Sequence, residues 1–518
     1  MGARLIEGFE ATTVPFANAR ALASEFEATL ASENMVRAPH DELEALCDSQ
    51  GREWARRMLD EHLRLRGELE QRVPVVGADG VERDSLRDSG RRLKTVLGTV
   101  SVPRLAYQSA GCEDLHPMDA SLNLPRELFS FGIRRMVAKE ISHASYDEVV
   151  ELVRDFKGAE IAKRQVEELT IRAAQDFDAF YEKRLAAEAT EELLVISTDG
   201  KGIAMRHEDL REGTRRAAEK NRHKLQTRLA PGEKSNRKRM AQVAAVYSIA
   251  PWPRSAADLV RPLRNDSIEA RRPKPKGKRV WASVEQNQRN VIRAAVEEAL
   301  RRDPENKRRW VVLVDGDPKQ LRAVKAELRR SKVKATILLD VVHVLEYVWK
   351  AARALFGESN AEAEDWVGNR LLALLSGRSG GDVAQTIRWW SARRGKALDD
   401  AGLAAIEVAC DYLADRTRTR LMHYEQALRD GLPIATGVIE GACRYLVKDR
   451  MDRTGARWSL TGAEAVLRLR AIRASGDFDE YWDFHLASER DRNHSARYAD
   501  AQIPDPLPPR KPRLRRVK

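Results

Sequence analysis

The chain has 518 residues, 42% hydrophobic and 33% charged, with a formal net charge of +12. That balance excludes a disordered chain, and the lack of any run of about 18 apolar residues excludes a membrane-spanning one. The excess of cations points to a polyanionic partner, most simply nucleic acid, while the four scattered cysteines (Cys47, Cys112, Cys410 and Cys443) make neither a disulfide framework nor a CxxC metal pair.

Residues 1–90 read as an N-terminal helical region, since 20–72 carry apolar residues at spacings of three and four within dense charge. In segment 91–124, residues 92–108 (RLKTVLGTVSVPRLAYQ) alternate around Gly98 and predict a hairpin. The loop after it offers one thiol, Cys112, where a zinc ribbon needs four ligands, so a structural loop is expected. Across 125–190 three helices are expected, over 129–142, 145–156 and 161–181. A Ser145/Glu148 capping box opens the second, and Lys157-Gly158 supplies the turn before the third. That pattern is compatible with a DNA-reading helix-turn-helix and equally with an ordinary helical bundle.

From residue 191 the composition changes. Apolar β-type runs lie at 193–197, 240–249, 310–314 and Ala335–Leu339, with helices expected over 285–302 and Pro318–Arg330. Two basic stretches, 215–239 and the proline-broken loop 271–279, suit phosphate binding without base reading. Residues 343–429 read as helical, and after Pro433 and Gly437 a last helix starts near Val438. The tail from Pro504 is proline-rich and basic and reads as disordered.

The run at 193–197 leads into Thr198-Asp199-Gly200 and the run at 310–314 into Asp315-Gly316-Asp317. The C-terminal edge of a buried sheet is where ligands and catalytic groups collect. Two carboxylates converging there repel each other unless a cation lies between them, and an oxygen-seeking divalent ion such as Mg²⁺ is the simplest one. Taken singly, Asp-Gly is also ordinary turn chemistry. Glu440 stands near the start of the last helix, followed on its face by Arg444 and Lys448. Alone this is a solvated ion-pair stripe, and beside two strand-end aspartates it becomes a third acid.

The segments STDGKG, VVLVDGDPKQL, ILLDVVHVLEYVWKAA and TGVIEGACRYLVKDRMDRTGARWS resemble bacterial insertion-sequence DDE transposases of the ISKra group and, more distantly, the Mutator-like transposases. The resemblance implies an α/β RNase H-like catalytic core (191–344 and 436–490) interrupted by an all-α insertion (345–435). A mainly helical N-terminal region with a β-hairpin and a helix-turn-helix would precede it, and a basic disordered tail (491–518) would follow. It implies that Asp199, Asp315 and Glu440 are the catalytic residues and hold two Mg²⁺ ions, for which Mn²⁺ can substitute. Asp340 and His343 match a Cys/Asp-x-x-His element that follows the fifth strand in relatives, with a supporting role in orienting the insertion or contacting DNA near the cut. Asp340 is also the alternative to Asp315 as the second acid, and a plain strand end with a helix cap is the other reading of it. Relatives often carry a CxxC after the hairpin, and Ser109-Ala110-Gly111-Cys112 lacks the first thiol, so that ribbon should be absent or degraded.

The activity implied is binding of terminal inverted repeats, cleavage at the element ends and joining of the 3′-OH to target DNA by two-metal phosphoryl transfer. The implied partners are transposon-end and target DNA and further copies of the chain on that DNA. No membrane partner is expected, and the setting the resemblance implies is the bacterial cytoplasm at the nucleoid. Candidate phosphate contacts are Arg237, Lys238, Arg239, Arg444, Lys448, Arg450 and Arg453. Trp389 and Trp390 either stack on a flipped or hairpin-end base or pack the insertion's own core. The competing readings are an RNase H-like structure-specific nuclease or resolvase and a domesticated transposase acting as a DNA-binding regulator.

Overall fold

The computed structural model describes residues 15–157, 160–184, 193–220, 237–260, 272–358, 360–394, 398–453 and 455–508. The chain divides into two compact units, Met1–Phe180 with Asp479–Lys518, and Tyr181–Phe478.

The first unit opens with helices Ala17–Leu30, Glu33–Val36 and His40–Glu68. A small ribbon, β1 (Val75–Val76) with β2 (Glu82–Arg83), leads into a long hairpin of β3 (Ser85–Thr95) and β4 (Gly98–Gln108). Gly98 has φ 118° at the turn, a conformation that glycine alone adopts without strain. The hairpin starts at Ser85 rather than at residue 92, because the polar SLRDSGR stretch is held by its ladder to β4 and carries no apolar alternation of its own. Leu93, Val100 and Val102 pack on Leu63 of the long helix.

Helices Phe131–Glu140, Tyr146–Lys157 and Lys163–Ala174 follow. The capping box is present: the Glu148 N–H donates to Ser145 Oγ at 3.1 Å, and the Glu148 carboxylate accepts from the Ser145 N–H. The third helix stops at Ala174 instead of running through to residue 181, and the expected turn residue Gly158 lies outside the described residues. Of the expected tail, residues 509–518 lie outside the described residues, and the part before them differs from expectation. Residues 491–508 are not a loose tail: the helix Phe478–Asn493 continues into 3-10 turns Ser495–Arg497 and Ala499–Ala501. Tyr498 is 3% exposed in a cluster with Val75, Leu105, Tyr107 and Leu115. Tyr498 and Ile503 anchor this stretch in that cluster, with Arg497 donating to the Asp114 carbonyl and the Gln71 N–H to the Pro506 carbonyl, and the polar, charged residues around them hide that from composition.

The second unit is mixed α/β around one five-stranded sheet. Its strands are β5 (Leu193–Ala204), β6 (Lys238–Ile249), β7 (Lys276–Ser283), β8 (Arg309–Val314) and β9 (Ala335–Leu339), in the order β7-β6-β5-β8-β9. β6 runs antiparallel to both its neighbours, and β5, β8 and β9 run parallel. The near-continuous apolar runs in β5 and β8 follow from burial on both faces.

β7 corrects the expected basic loop over 271–279, since the strand begins at Lys276. Its inward positions include Arg279, stacked on Tyr181 with 3.6 Å from guanidinium to ring centroid and paired with Glu298. A buried, neutralised arginine in a strand looks in sequence like a solvated one. Helices Gln288–Arg302 and Pro318–Arg330 pack together, and Leu460–Ser475 packs on β7. Between β9 and the last core helix lies an all-helical run of Val341–Phe356, Ala361–Leu375, Gly380–Arg394, Asp400–Arg418 and Tyr424–Arg429. Among the described residues no helix is long and apolar enough to cross a membrane.

Candidate active site

The sheet register aligns three aspartates. The last pair between β5 and β8 is Ser197↔Leu313, and the last between β8 and β9 is Val314↔Leu339. Continued along the strands, the same register sets Asp199, Asp315 and Asp340 in one row across three parallel strands. Neighbouring strands are about 4.8 Å apart, so consecutive members of that row are within range of each other's charge.

Buried Gln320 sets the spacing of the first two. Its Oε1 accepts the Asp315 N–H at 3.2 Å and its Nε2 donates to the Thr198 carbonyl at 2.8 Å, tying the end of β8 to the residue before Asp199. Asp315 Oδ1 accepts the Asp317 N–H at 2.8 Å. Asp199 Oδ1 accepts the Gly200 N–H at 2.6 Å, and its Oδ2 accepts the Cys443 thiol at 3.1 Å. Burial lifts the Asp315 carboxyl above its usual range, and the negative charge of Asp199 pushes the same way. The Asp317 N–H and His343 pull against them. A carboxylate raised by burial and by a neighbouring carboxylate's charge fits a hard divalent cation, which would relieve it.

Glu440 reaches the same edge from the helix Gly437–Ala442, where it is exposed. The link is Cys443, one turn on. Burial, then the charge and hydrogen bond of Asp199, and then the charge of Glu440 hold its thiol far above the ordinary range. Helix Gly437–Ala442 runs directly into a π-helix, Cys443–Lys448, a wide turn that recurs at functional sites. Glu440, Arg444 and Lys448 are all exposed, whereas Ile439, Ala442, Cys443, Leu446 and Val447 are buried.

Asp340 is treated differently by its surroundings. It is 1% exposed. Oδ1 accepts the Val342 N–H at 2.8 Å as a helix cap, and Oδ2 accepts the Thr436 hydroxyl. Burial pushes its carboxyl up to about 6, against the pull of the Val342 N–H and His343. With the Val341 N–H donating to the Ile434 carbonyl at 2.9 Å, Asp340 fastens the segment that leads into Glu440 onto the sheet edge. His343 is partly exposed and lies 3.4 Å from Glu346.

Among the described residues, a tight cluster of three ligand-type side chains, with ligand atoms within 4.8 Å of one another, lies in the first unit: Asp176, His485 and Glu489. Arg134 and Arg492 already neutralise that cluster, so it is a packed ion network with no charge left for a cation. Asp199, Asp315 and Glu440 share one edge without closing to that distance.

The expected DNA contacts separate by exposure. Lys238, Arg444, Lys448 and Arg453 are exposed. Arg450 is not available to phosphate: it is 3% exposed, with its guanidinium 4.7 Å from the Trp458 ring. Arg239 also turns inward, donating to the Val284 carbonyl at 2.8 Å and the Asp209 carbonyl at 3.1 Å, and Arg237 is partly buried. Both corrections have one cause, which is that a cation next to a buried aromatic or an open carbonyl cannot be told from a free one by its neighbours in sequence. Trp389 is 52% exposed beside Arg393, whereas Trp390 packs towards Phe356 with centroids 5.8 Å apart. Of the basic stretch 215–239, residues 221–236 lie outside the described residues.

Sequence reasoning missed Gln320, Cys443, Thr436 and Tyr412, whose hydroxyl donates to the Asp315 carbonyl at 3.1 Å. Cys443 had a usable signal, three residues after Glu440 on its helix. The others meet the site only through the fold. The chain matches no protein-family model, and a search of curated proteins returns no match.

Proposed function

We propose that this chain is a DNA transposase that cuts at the ends of a mobile element and joins the freed 3′-OH to target DNA, with Asp199, Asp315 and Glu440 as its acids. The observation that carries the reading is the alignment of Asp199 and Asp315 at the ends of neighbouring parallel strands, where burial and the charge of Asp199 raise Asp315. Support for an RNase H-like core comes from the adjacency of the first and fourth strands of the sheet. The helical run between the fifth strand and Glu440 agrees with an insertion there.

Asp199, Asp315 and Glu440 would hold two divalent cations, Mg²⁺ or Mn²⁺, which supply the charge that activates water and stabilises a leaving 3′ oxygen. The protein's own part is positioning. Gln320 sets the spacing of the two aspartates, the Asp317 N–H orients one carboxylate, and Asp340 with Thr436 holds the approach to Glu440. Cleavage and joining are both in-line displacements at phosphorus, so one site serves both if the nucleophile changes from water to the 3′-OH. Exposed Lys238, Arg444, Lys448 and Arg453 suit phosphate contacts that carry no sequence information. In the first unit, Lys163, Arg164 and Arg172 line the third of three short helices, as a helix-turn-helix reading requires. Lys163 and Arg164 pair with Asp147 and Glu168 at the surface, and such pairs are weak enough for a phosphate to displace, whereas Arg172 is tied to the largely buried Glu127.

The test is a strand-transfer assay on DNA carrying the element's ends. Asp199→Ala should lower cleavage by at least about a thousandfold while leaving end binding intact. Cleavage retained in that variant would sink the assignment. Cleavage by the unmodified chain with no joined product would leave a nuclease or resolvase instead.

A further inference from the structure

The loop Asp315-Gly316-Asp317 is left-handed at Gly316, φ +92°, and a Cβ there would come within 2.8 Å of Leu339 Cδ1 and 2.9 Å of Arg416 Nε. The glycine therefore leaves room for an arginine that belongs to a distant element, the helix Asp400–Arg418. The Arg416 guanidinium lies 5.1 Å from the Tyr412 ring centroid. Tyr412 stacks face to face on Tyr347 at 3.7 Å, and its hydroxyl donates to the Asp315 carbonyl. Two stacked rings and a bare backbone position thus hold this cation against the residue that follows Asp315.

Among the described residues Arg416 has no carboxylate partner, and its Nε is buried without an acceptor. Other arginines nearby in the helical run do have partners: Arg388 with Glu407 and Asp411, Arg418 with Asp415. Arg416 is partly exposed, so an anion arriving from outside can reach its guanidinium and would offset a charge that no carboxylate among the described residues offsets. The fork geometry of arginine matches two phosphate oxygens.

We infer that Arg416 binds a phosphate of the DNA strand held at the acidic edge, so that the helical run contributes directly to the site. This rests on the reading that Asp199, Asp315 and Glu440 act on DNA. Asp315 and Glu440 would attract the cations, and Arg416 would fix the phosphodiester beside them.

The experiment measures anisotropy of a short fluorescein-labelled duplex of mixed sequence in Ca²⁺, between about 50 and 200 mM salt, with the full chain. Arg416→Met keeps the packed stem and removes the charge. It should make the slope of log affinity against log salt shallower by about 0.9, while Arg416→Lys keeps the slope. Arg416→Gln is the second neutral variant should the methionine disturb folding, and melting temperatures accompany each. A folded neutral variant with the wild-type slope overturns the inference, as does a wild-type chain with no salt-dependent affinity. Nicking of supercoiled plasmid in Mn²⁺ separates the two readings. A shallower slope together with a wild-type chain that does not nick keeps the phosphate contact and removes the transposase.

Discussion

Asp315 and Asp340 end adjacent strands, one residue beyond the same register pair, yet their surroundings give them different work. Asp315 is partly exposed, and one of its oxygens is committed to the Asp317 N–H. Asp340 is sealed from solvent, with both oxygens engaged by Val342 and Thr436. A carboxylate sealed from solvent with both oxygens hydrogen-bonded inside holds structure, and a partly exposed one with an oxygen left open can take a ligand. Asp315→Asn is therefore expected to abolish cleavage, whereas Asp340→Asn, which still accepts from Val342, should keep most of it. The reverse ranking in the same cleavage assay would move the second acid to Asp340. Both aspartates were legible as strand-end acids, because an apolar run followed by Asp is a local pattern. Their division of labour was not, since the Thr436 hydroxyl that occupies Asp340 comes from 96 residues further on.

At the scale of elements, the strand that escaped the sequence reading shows how charge can mislead. β7 starts among lysines and prolines, but Arg279 on its buried side meets Glu298 of the helix Gln288–Arg302. Burial alone would raise the Glu298 carboxyl, and Arg279, Arg302 and Arg301 outweigh it and hold it down at about 2. Burial draws Arg279 down from its ordinary range, and an arginine stays charged regardless. The sign follows from linkage. A depressed carboxylate adds stability that is present above its ordinary value near 4.5 and is lost as the pH falls through about 2. Glu298→Gln should thus lower stability at neutral pH by of the order of 3 kcal/mol, with the gap to wild type closing on acidification from about pH 4.5 towards pH 2. Denaturant melts at several pH values read this directly, and a gap independent of pH would contradict it. The helices Pro318–Arg330 and Gln288–Arg302 needed no such help, because their 3.6-residue periodicity and caps are written locally.

At the scale of the whole molecule, the chain leaves its N-terminal unit at Phe180 and returns to it at Asp479. The returning helix brings His485, Glu489 and Arg492 against Arg134 and Asp176. Arg134 is fully buried and donates to Glu489 at 2.7 Å, and His485 Nδ1 lies 2.7 Å from Asp176. Removing one member of a buried ion network leaves the others uncompensated, so Glu489→Ala should cost about 3–5 kcal/mol of that unit's stability. Urea melts followed by far-UV circular dichroism would show it, and a change below about 1 kcal/mol would mean that the network is dispensable. The sequence by itself determined most of the strands and helices, the hairpin turn at Gly98, and the candidate acids, because hydrophobic period, turn chemistry and strand-end aspartates are properties of neighbouring residues. Only the tertiary structure decided that Asp199, Asp315 and Asp340 share a row, that Arg239 and Arg450 face inward while Arg416 lies against the Asp315 loop, and that the last helix completes the first unit. Register, burial and counter-charge are set between residues far apart in the chain, and no local pattern carries them.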